Sequence, residues 1–450
     1  MANIEDGNTK SFFSTPTLSF LHNFNDKGTK LSADISYTYA NGNYSFLTNE
    51  FNADEFYHSI DNLPFLLNSS NTYIRNFVKA NTDFVFVLNE KSKFETGIEF
   101  SDNKRDVNLN FTNYDYSVDD WLINSLYTNN FVFRQKIYAS YFLFSGQFAN
   151  FEYQIGLRGE YSDRILEQKL KNENYIYQKL HFFPSFSILK SLGEKVQLQL
   201  SYSRRISRPI DFHLNPFPST FSSSVISIGN PELQPDFPNS FEFNITSDFN
   251  LFTLNINNFY IYTENATTQV ISLNNNGTQV LTFENMNFNR FIGSEISTTF
   301  TLLKVLKLSP SANIYSMESK GKIDDYDANY KTLTFDLSLN GTLKINKSTK
   351  FQLVTTYSGK SVTQQGYMFP NYFLTASLNQ DFFAEKLSIT LQARNLFNSN
   401  HIKFDEFGQN FNTKLDYRLE TNIFTINVSY KFNNFKKNAL MQGKTIDNEI

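Results

Sequence analysis

The sequence predicts an all-β protein: an antiparallel transmembrane β-barrel with short periplasmic turns and long extracellular loops. Three observations carry that expectation. Apolar and polar side chains alternate with a two-residue period, aromatic residues are in excess, and short connections alternate with long ones. Successive side chains of a strand point to opposite faces, so strict alternation gives one apolar and one polar wall. A barrel in a membrane needs both, the apolar wall against lipid and the polar wall around the lumen.

The pattern is cleanest near the end of the chain. There Phe424, Ile426, Val428, Tyr430 and Phe432 alternate with Thr425, Asn427, Ser429 and Lys431. Val196, Leu198, Leu200 and Tyr202 alternate with Gln197, Gln199, Ser201 and Ser203. Leu333, Phe335, Leu337 and Leu339 alternate with Thr334, Asp336, Ser338 and Asn340. Reading such runs from end to end gives about 17 strands. The expected spans are 12–23, 30–40, 76–88, 93–104, 132–148, 151–165, 178–190, 195–206 and 238–249, then 251–264, 290–302, 307–318, 330–343, 350–358, 371–380, 386–398 and 420–432.

Short turns at 89–92, 149–150, 191–194 and 303–305 interleave with long loops at 41–75, 105–131, 206–238, 264–289 and 399–419. Barrels of the outer membrane have short periplasmic turns and long external loops, so the last strand descends and, counting back, so does the first. Single-chain bacterial barrels begin and end in the periplasm. The expectation is therefore a barrel lacking its N-terminal part, with 1–11 as a leader, 12–432 as a partial barrel and 433–450 as a polar tail. The first residues also lack the basic and apolar regions of a signal peptide.

Composition agrees. Hydrophobic residues make up 40% of the chain, and the mean hydropathy of −0.39 hides the strands because half of each is polar. Phe 49 and Tyr 25 against one Trp supply aromatic girdles for two membrane interfaces. A soluble aromatic-rich sandwich or solenoid is the competing reading. Cysteine is absent, and a net charge of −4 gives no basic face for nucleic acid. No cofactor is expected. No nucleophile elbow, phosphate-binding glycine loop or dinucleotide fingerprint occurs, so an enzyme is rejected.

Six segments resemble the barrels of TonB-dependent outer-membrane receptors, especially the Bacteroidetes type. They are Gly156-Leu-Arg-Gly-Glu160, Phe183-Pro-Ser-Phe186, Ser201-Tyr-Ser-Arg-Arg-Ile-Ser-Arg-Pro209, Gly229-Asn-Pro-Glu-Leu-Gln-Pro235, Gly293-Ser-Glu295 and Asn395-Leu-Phe-Asn398. They occur in the family's order. The resemblance implies a barrel of roughly 22 strands, with about five missing here. It also implies a plug domain, absent from this chain, through which TonB acts. The family-motif residues are Gly229, Asn230, Pro231, Pro235, Gly293, Glu295, Asn395 and Phe397. The expected function is import of a scarce siderophore, oligosaccharide or similar ligand. A passive porin and a surface-binding adhesion barrel are the alternatives.

Candidate ligand residues lie in the outer loops. Tyr114, Tyr116 and Trp121, near Tyr127, Asp119 and Asp120, suit carbohydrate or siderophore capture, against plain loop packing. Arg204, Arg205 and Arg208 suit lipopolysaccharide phosphate or an anionic ligand, against the preferred reading of pairing with lumen acids. The proline-rich 228–238 is expected to be a rigid turn shaping the start of the next strand. Asp324, Asp325 and Asp327 are expected to be a solvated loop rather than a Ca²⁺ site. His22, His58, His181, His213 and His401 show no metal-ligand spacing; a site shared by His58 and His213 is the weak alternative. Outer-membrane lipid and lipopolysaccharide are the expected surroundings.

Overall fold

A computed structural model describes residues 2–432 other than 57, 62, 223, 250, 324, 325, 364, 409 and 419–421. Seventeen strands run up and down in sequence order, each antiparallel to the next. They are Thr17–Asn23, Lys30–Phe51, Phe65–Asn89, Ser92–Asp115, Asn129–Phe148, Phe151–Gln168, Glu173–Leu192, Val196–Arg204 and Phe237–Phe249. The series continues with Phe252–Glu264, Phe288–Leu302, Leu306–Ile323, Tyr326–Lys344, Thr349–Ser358, Asn371–Phe382, Leu387–Arg394 and Ile423–Tyr430. Each predicted strand has its counterpart.

The differences lie at the outer ends. The strand expected at 30–40 continues to Phe51, that at 76–88 begins at Phe65, and that at 93–104 reaches Asp115. Above the membrane the outward face is wet and the inward one packs against polar neighbours: Asn68, Ser70 and Thr72 are exposed, Ser69 and Asn71 are buried, and the stretch carries no apolar alternation while its ladder continues. The loops at 264–289 and 399–419 are hairpins, Thr267–Leu273 with Gln279–Asn285 and His401–Gly408 with Phe411–Arg418. The supposed leader 1–11 is strand from residue 2: Ala2–Ser14 pairs with the upper half of Lys30–Phe51. It is separated from Thr17–Asn23 by Thr15 and Pro16, since proline gives no N–H to a ladder. The tail 433–450 lies outside the described residues.

Among the described residues, Ile423–Tyr430 pairs only with Leu387–Arg394, and Ala2–Ser14 and Thr17–Asn23 only with Lys30–Phe51. Among the described residues the sheet is therefore open. Unpaired N–H and C=O groups are costly in hydrocarbon, which is why every strand between these two edges is paired on both sides.

Register fixes the two faces. Phe100 and Tyr138 pair outward with ring centres 5.1 Å apart, as do Tyr202 and Phe241 at 4.7 Å and Phe335 and Tyr357 at 5.4 Å. Ile98, Leu333 and Ile426 on this face are 64%, 74% and 71% exposed, as lipid-facing side chains are. The inward face is polar and spans strands with long side chains. Tyr141 crosses Gly97, its direct partner, and donates to Asp83 Oδ1 at 2.7 Å on the strand beyond. A Cβ on Gly97 would lie 2.5 Å from that ring and 2.8 Å from the Thr82 carbonyl, so only glycine permits the crossing.

Tyr141→Phe is expected to lose the hydrogen bond alone, about 1 kcal/mol. Gly97→Val forces the ring aside and is expected to cost about 2–3 kcal/mol. Urea unfolding in lipid vesicles, read by the fluorescence of the single Trp121, measures both; equal losses would contradict this account.

Candidate functional site

The inner wall changes character with height. At mid-wall a row of side chains in direct register lines the lumen: Gln199, Asn244, Asn257, Glu295, Asn313 and Asp336. At about 3.3 Å per residue and a tilt near 40°, the 24 residues of Ser92–Asp115 rise about 60 Å, far above an apolar band about 25 Å tall. On this upper part the inward positions turn apolar. Val107, Phe131, Phe133 and Leu166 are buried there against Leu214, Leu233 and Phe283 from the loops. A water-excluding core thus sits at the outer mouth, built between wall and folded-in loops.

Charges fasten the loops to the wall. Lys79 lies 3.8 Å from Glu99, which Arg158 approaches at 3.5 Å; Arg158 in turn meets Glu160 at 2.5 Å. Glu160, 6% exposed, also takes Arg208 from the loop. A buried carboxylate is tolerable only when so paired. The short helix Asp211–Leu214 is tied down by Arg105, 2.9 Å from Asp211. Arg164 donates to the Leu233 carbonyl at 2.8 Å while its guanidinium lies over Tyr177. Burial pushes the His213 imidazole below its ordinary pKa, the Asp211 charge opposing. Burial raises the Asp236 carboxyl, offset in part by hydrogen bonds from Thr267.

The glycine-asparagine-proline segment stitches this layer together. Gly229 N–H donates to the Asn215 carbonyl at 2.8 Å, and Asn230 N–H to that of His213 at 2.7 Å. A Cβ on Gly229 would stand 2.6 Å from Asn215 O. The Asn230 amide donates to Phe283 O at 3.1 Å and its Oδ1 accepts from Glu232 N–H at 3.0 Å, closing the turn over Pro231. Asn285 brackets Gln234 with bonds of 2.9 and 3.0 Å, just before Pro235. Asp236 then bridges Ser207.

The other motif residues have separate settings. Gly293 admits Tyr315 directly opposite, where a Cβ would fall 2.4 Å from Tyr315 Cβ. Glu295 belongs to the mid-wall polar row. Asn395 is fully buried in a left-handed turn, its Oδ1 accepting from Ser399 N–H at 2.9 Å and Asn400 N–H at 3.2 Å. Phe397 is exposed, 6.5 Å from the outward Tyr372.

The three aromatic candidates come together at a hairpin tip. Tyr114 packs 4.9 Å from Tyr116 and 5.4 Å from Trp121, and its hydroxyl donates to Asp119. Tyr116 donates to the Pro64 carbonyl of the neighbouring tip at 2.8 Å. The three arginines diverge instead. Arg208 is spent on Glu160, Arg204 lies 4.8 Å over the Phe237 ring, and Arg205 is exposed. Asp327 is in a strand opposite Lys322, while Asp324 and Asp325 lie outside the described residues. His58 pairs with Asp54 at 3.3 Å and His213 packs on Phe283. Among the described residues no group of three or more His, Cys, Asp or Glu is arranged to hold a metal.

Sequence reasoning missed the groups whose partners are remote in the chain. Gln365 binds the backbone of Ile271 through both ends of its amide, at 2.6 and 2.8 Å, as a strand residue would. Asn215 takes Gln168 Nε2 at 2.6 Å and Asn129 Nδ2 at 3.3 Å. No local pattern marks either.

No curated protein is similar in sequence. Among solved structures, the copper transporter OprC superposes with a TM-score of 0.67 at 12% identity, covering 93% of this chain and 65% of that one. The ferric yersiniabactin uptake receptor FyuA from Yersinia pestis gives 0.63 at 12%, covering 93% and 61%. The ferric-catecholate import receptor Fiu from Escherichia coli K12 gives 0.62 at 14%, covering 93% and 64%. This chain thus spans less than two thirds of each, and the likeness is one of fold. The outer membrane protein beta-barrel family matches residues 22–430, nearly the whole seventeen-strand sheet, and the chain belongs to that family, a protein of the outer membrane.

Proposed function

We propose that the chain forms the barrel wall of a TonB-dependent receptor that imports a scarce ligand such as a siderophore, metal complex or oligosaccharide. The observation that carries this is the roofed lumen: a polar inner wall beneath a packed layer of inward-folded loops. An open diffusion pore has no use for a core at its mouth. The likeness in fold to a copper transporter and to ferric-siderophore receptors supports the reading. In it, Tyr114, Tyr116 and Trp121 meet ligand at the rim, a plug domain occupies the lumen, and TonB acts on that plug.

Transport under this reading needs the proton-motive force. Cells carrying the gene at its own locus are expected to accumulate ⁵⁵Fe-loaded siderophores, Cu(II) or labelled oligosaccharide in a way that a protonophore abolishes. Accumulation indifferent to the protonophore would favour the porin, and surface binding without accumulation would favour the adhesion barrel.

The mouth layer makes a second prediction. Glu160→Gln leaves Arg158 and Arg208 without their shared carboxylate, and breaking such a buried network costs about 3–5 kcal/mol. The loop should loosen, and protease added to intact cells should cut between 205 and 236 under conditions that spare the wild type. Unchanged resistance in a variant that still reaches the membrane would count against this network as the fastening of the loop.

A further inference from the structure

The lipid-facing wall carries a cationic cluster that the transport reading does not use. Arg290, Glu318 and Lys331 stand side by side on three adjacent strands, Arg290 directly opposite Glu318 and Glu318 directly opposite Lys331. Their face is that of Ile292, Ile314, Leu333 and Phe335, all exposed and all on the apolar wall. One rung higher, Phe288 is opposite Lys320.

Height and charge single the cluster out. Arg290 is twelve residues from Leu302 at the periplasmic end of its strand, which at about 3.3 Å per residue and a tilt near 40° is about 30 Å. An apolar band about 25 Å tall ends just below it, at the level of lipid headgroups. Glu318, nearly buried, is held by Arg290 and by Lys320 at 3.1 Å. Lys331 is exposed and has no ion pair among the described residues. Glu264, exposed and directly opposite Phe288, is the other carboxylate on this face, so three cations against two carboxylates leave one positive charge in excess. Phe288 lies 6.0 Å from the Arg290 guanidinium and 5.8 Å from the Lys320 ammonium, with Tyr262 5.4 Å from Phe288. Rings of this kind lie well against a headgroup at an interface.

We propose that Arg290, Lys320 and Lys331 bind the phosphate group of an outer-leaflet lipid. Guanidinium offers a planar fork to phosphate oxygens, and the two exposed ammonium groups add charge beside it. The apolar row from Ile292 and Leu333 downward continues the site along an acyl chain, which favours a lipid phosphate over a free one. The inference rests on the protein's place in the membrane and is independent of transport.

The test uses the full chain extracted from outer membranes in mild detergent, with retained lipid counted by native mass spectrometry. The probes are lipopolysaccharide, the same material after phosphatase treatment, and inorganic phosphate as competitor. The double variant Lys320→Gln with Lys331→Gln is expected to retain roughly tenfold less phosphorylated lipid. Phosphatase-treated material should bind both proteins equally weakly. Glu318→Gln removes the neutralising carboxylate and is expected to raise retention, a change that misfolding does not produce. The proposal is overturned if the double variant retains lipid like the wild type, or if Glu318→Gln lowers retention. It is equally overturned if dephosphorylated lipid binds as well, or if inorganic phosphate displaces the lipid at equal concentration, which would make this a site for free phosphate.

Discussion

Everything in this protein follows from one constraint: backbone N–H and C=O groups inside hydrocarbon must find each other, because no water is there to take them. A meander of antiparallel strands meets that need with neighbours that are adjacent in sequence, which is why each strand pairs with the next from Thr17 to Tyr430. The same constraint imposes the two-residue period, lipid on one side and lumen on the other. It also explains the tight turns, where Ala149, Leu303 and Lys304 accept left-handed backbone to keep strands in register.

The part of the fold legible in the sequence is the part that touches lipid. Phe424, Ile426, Val428 and Tyr430 announce a strand because lipid demands apolar side chains at every second position. Above the membrane that demand lapses, and Asn68–Thr72 is a strand whose sequence reads as a loop. The candidate site was legible only in fragments. The motif Gly229–Pro235 marks a rigid turn, but what it holds is Asn215, His213 and Phe283, supplied by other segments. Arg105 finds Asp211 across 106 positions and Gln365 finds Ile271 across 94, and no local spacing encodes such meetings.

The resemblance motifs acquire physical content once they are placed in space. The arginine and glutamate of Gly156–Glu160 and the last arginine of Ser201–Pro209 meet in one buried network. Two segments that look like independent signatures are halves of one fastening between wall and loop. Gly97 leaves room for a tyrosine ring to lie across the sheet, and Gly293 lets the neighbouring backbone at Ile314 and Tyr315 come close. Buried charge and missing Cβ atoms are therefore placed where loops or rings must come close to the wall.

The core at the outer mouth has a consequence for assembly. Val107, Phe133 and Leu166 meet Leu214, Leu233 and Phe283 only on the far side of the bilayer, after the polar upper strands and their loops have crossed it. Before crossing, those residues are scattered along separate hairpins and stabilise nothing. After crossing, they close into a mass too wide and too polar on its surface to pass back through lipid. The mouth therefore works as a ratchet pawl: once the core has closed, withdrawal requires it to be taken apart first.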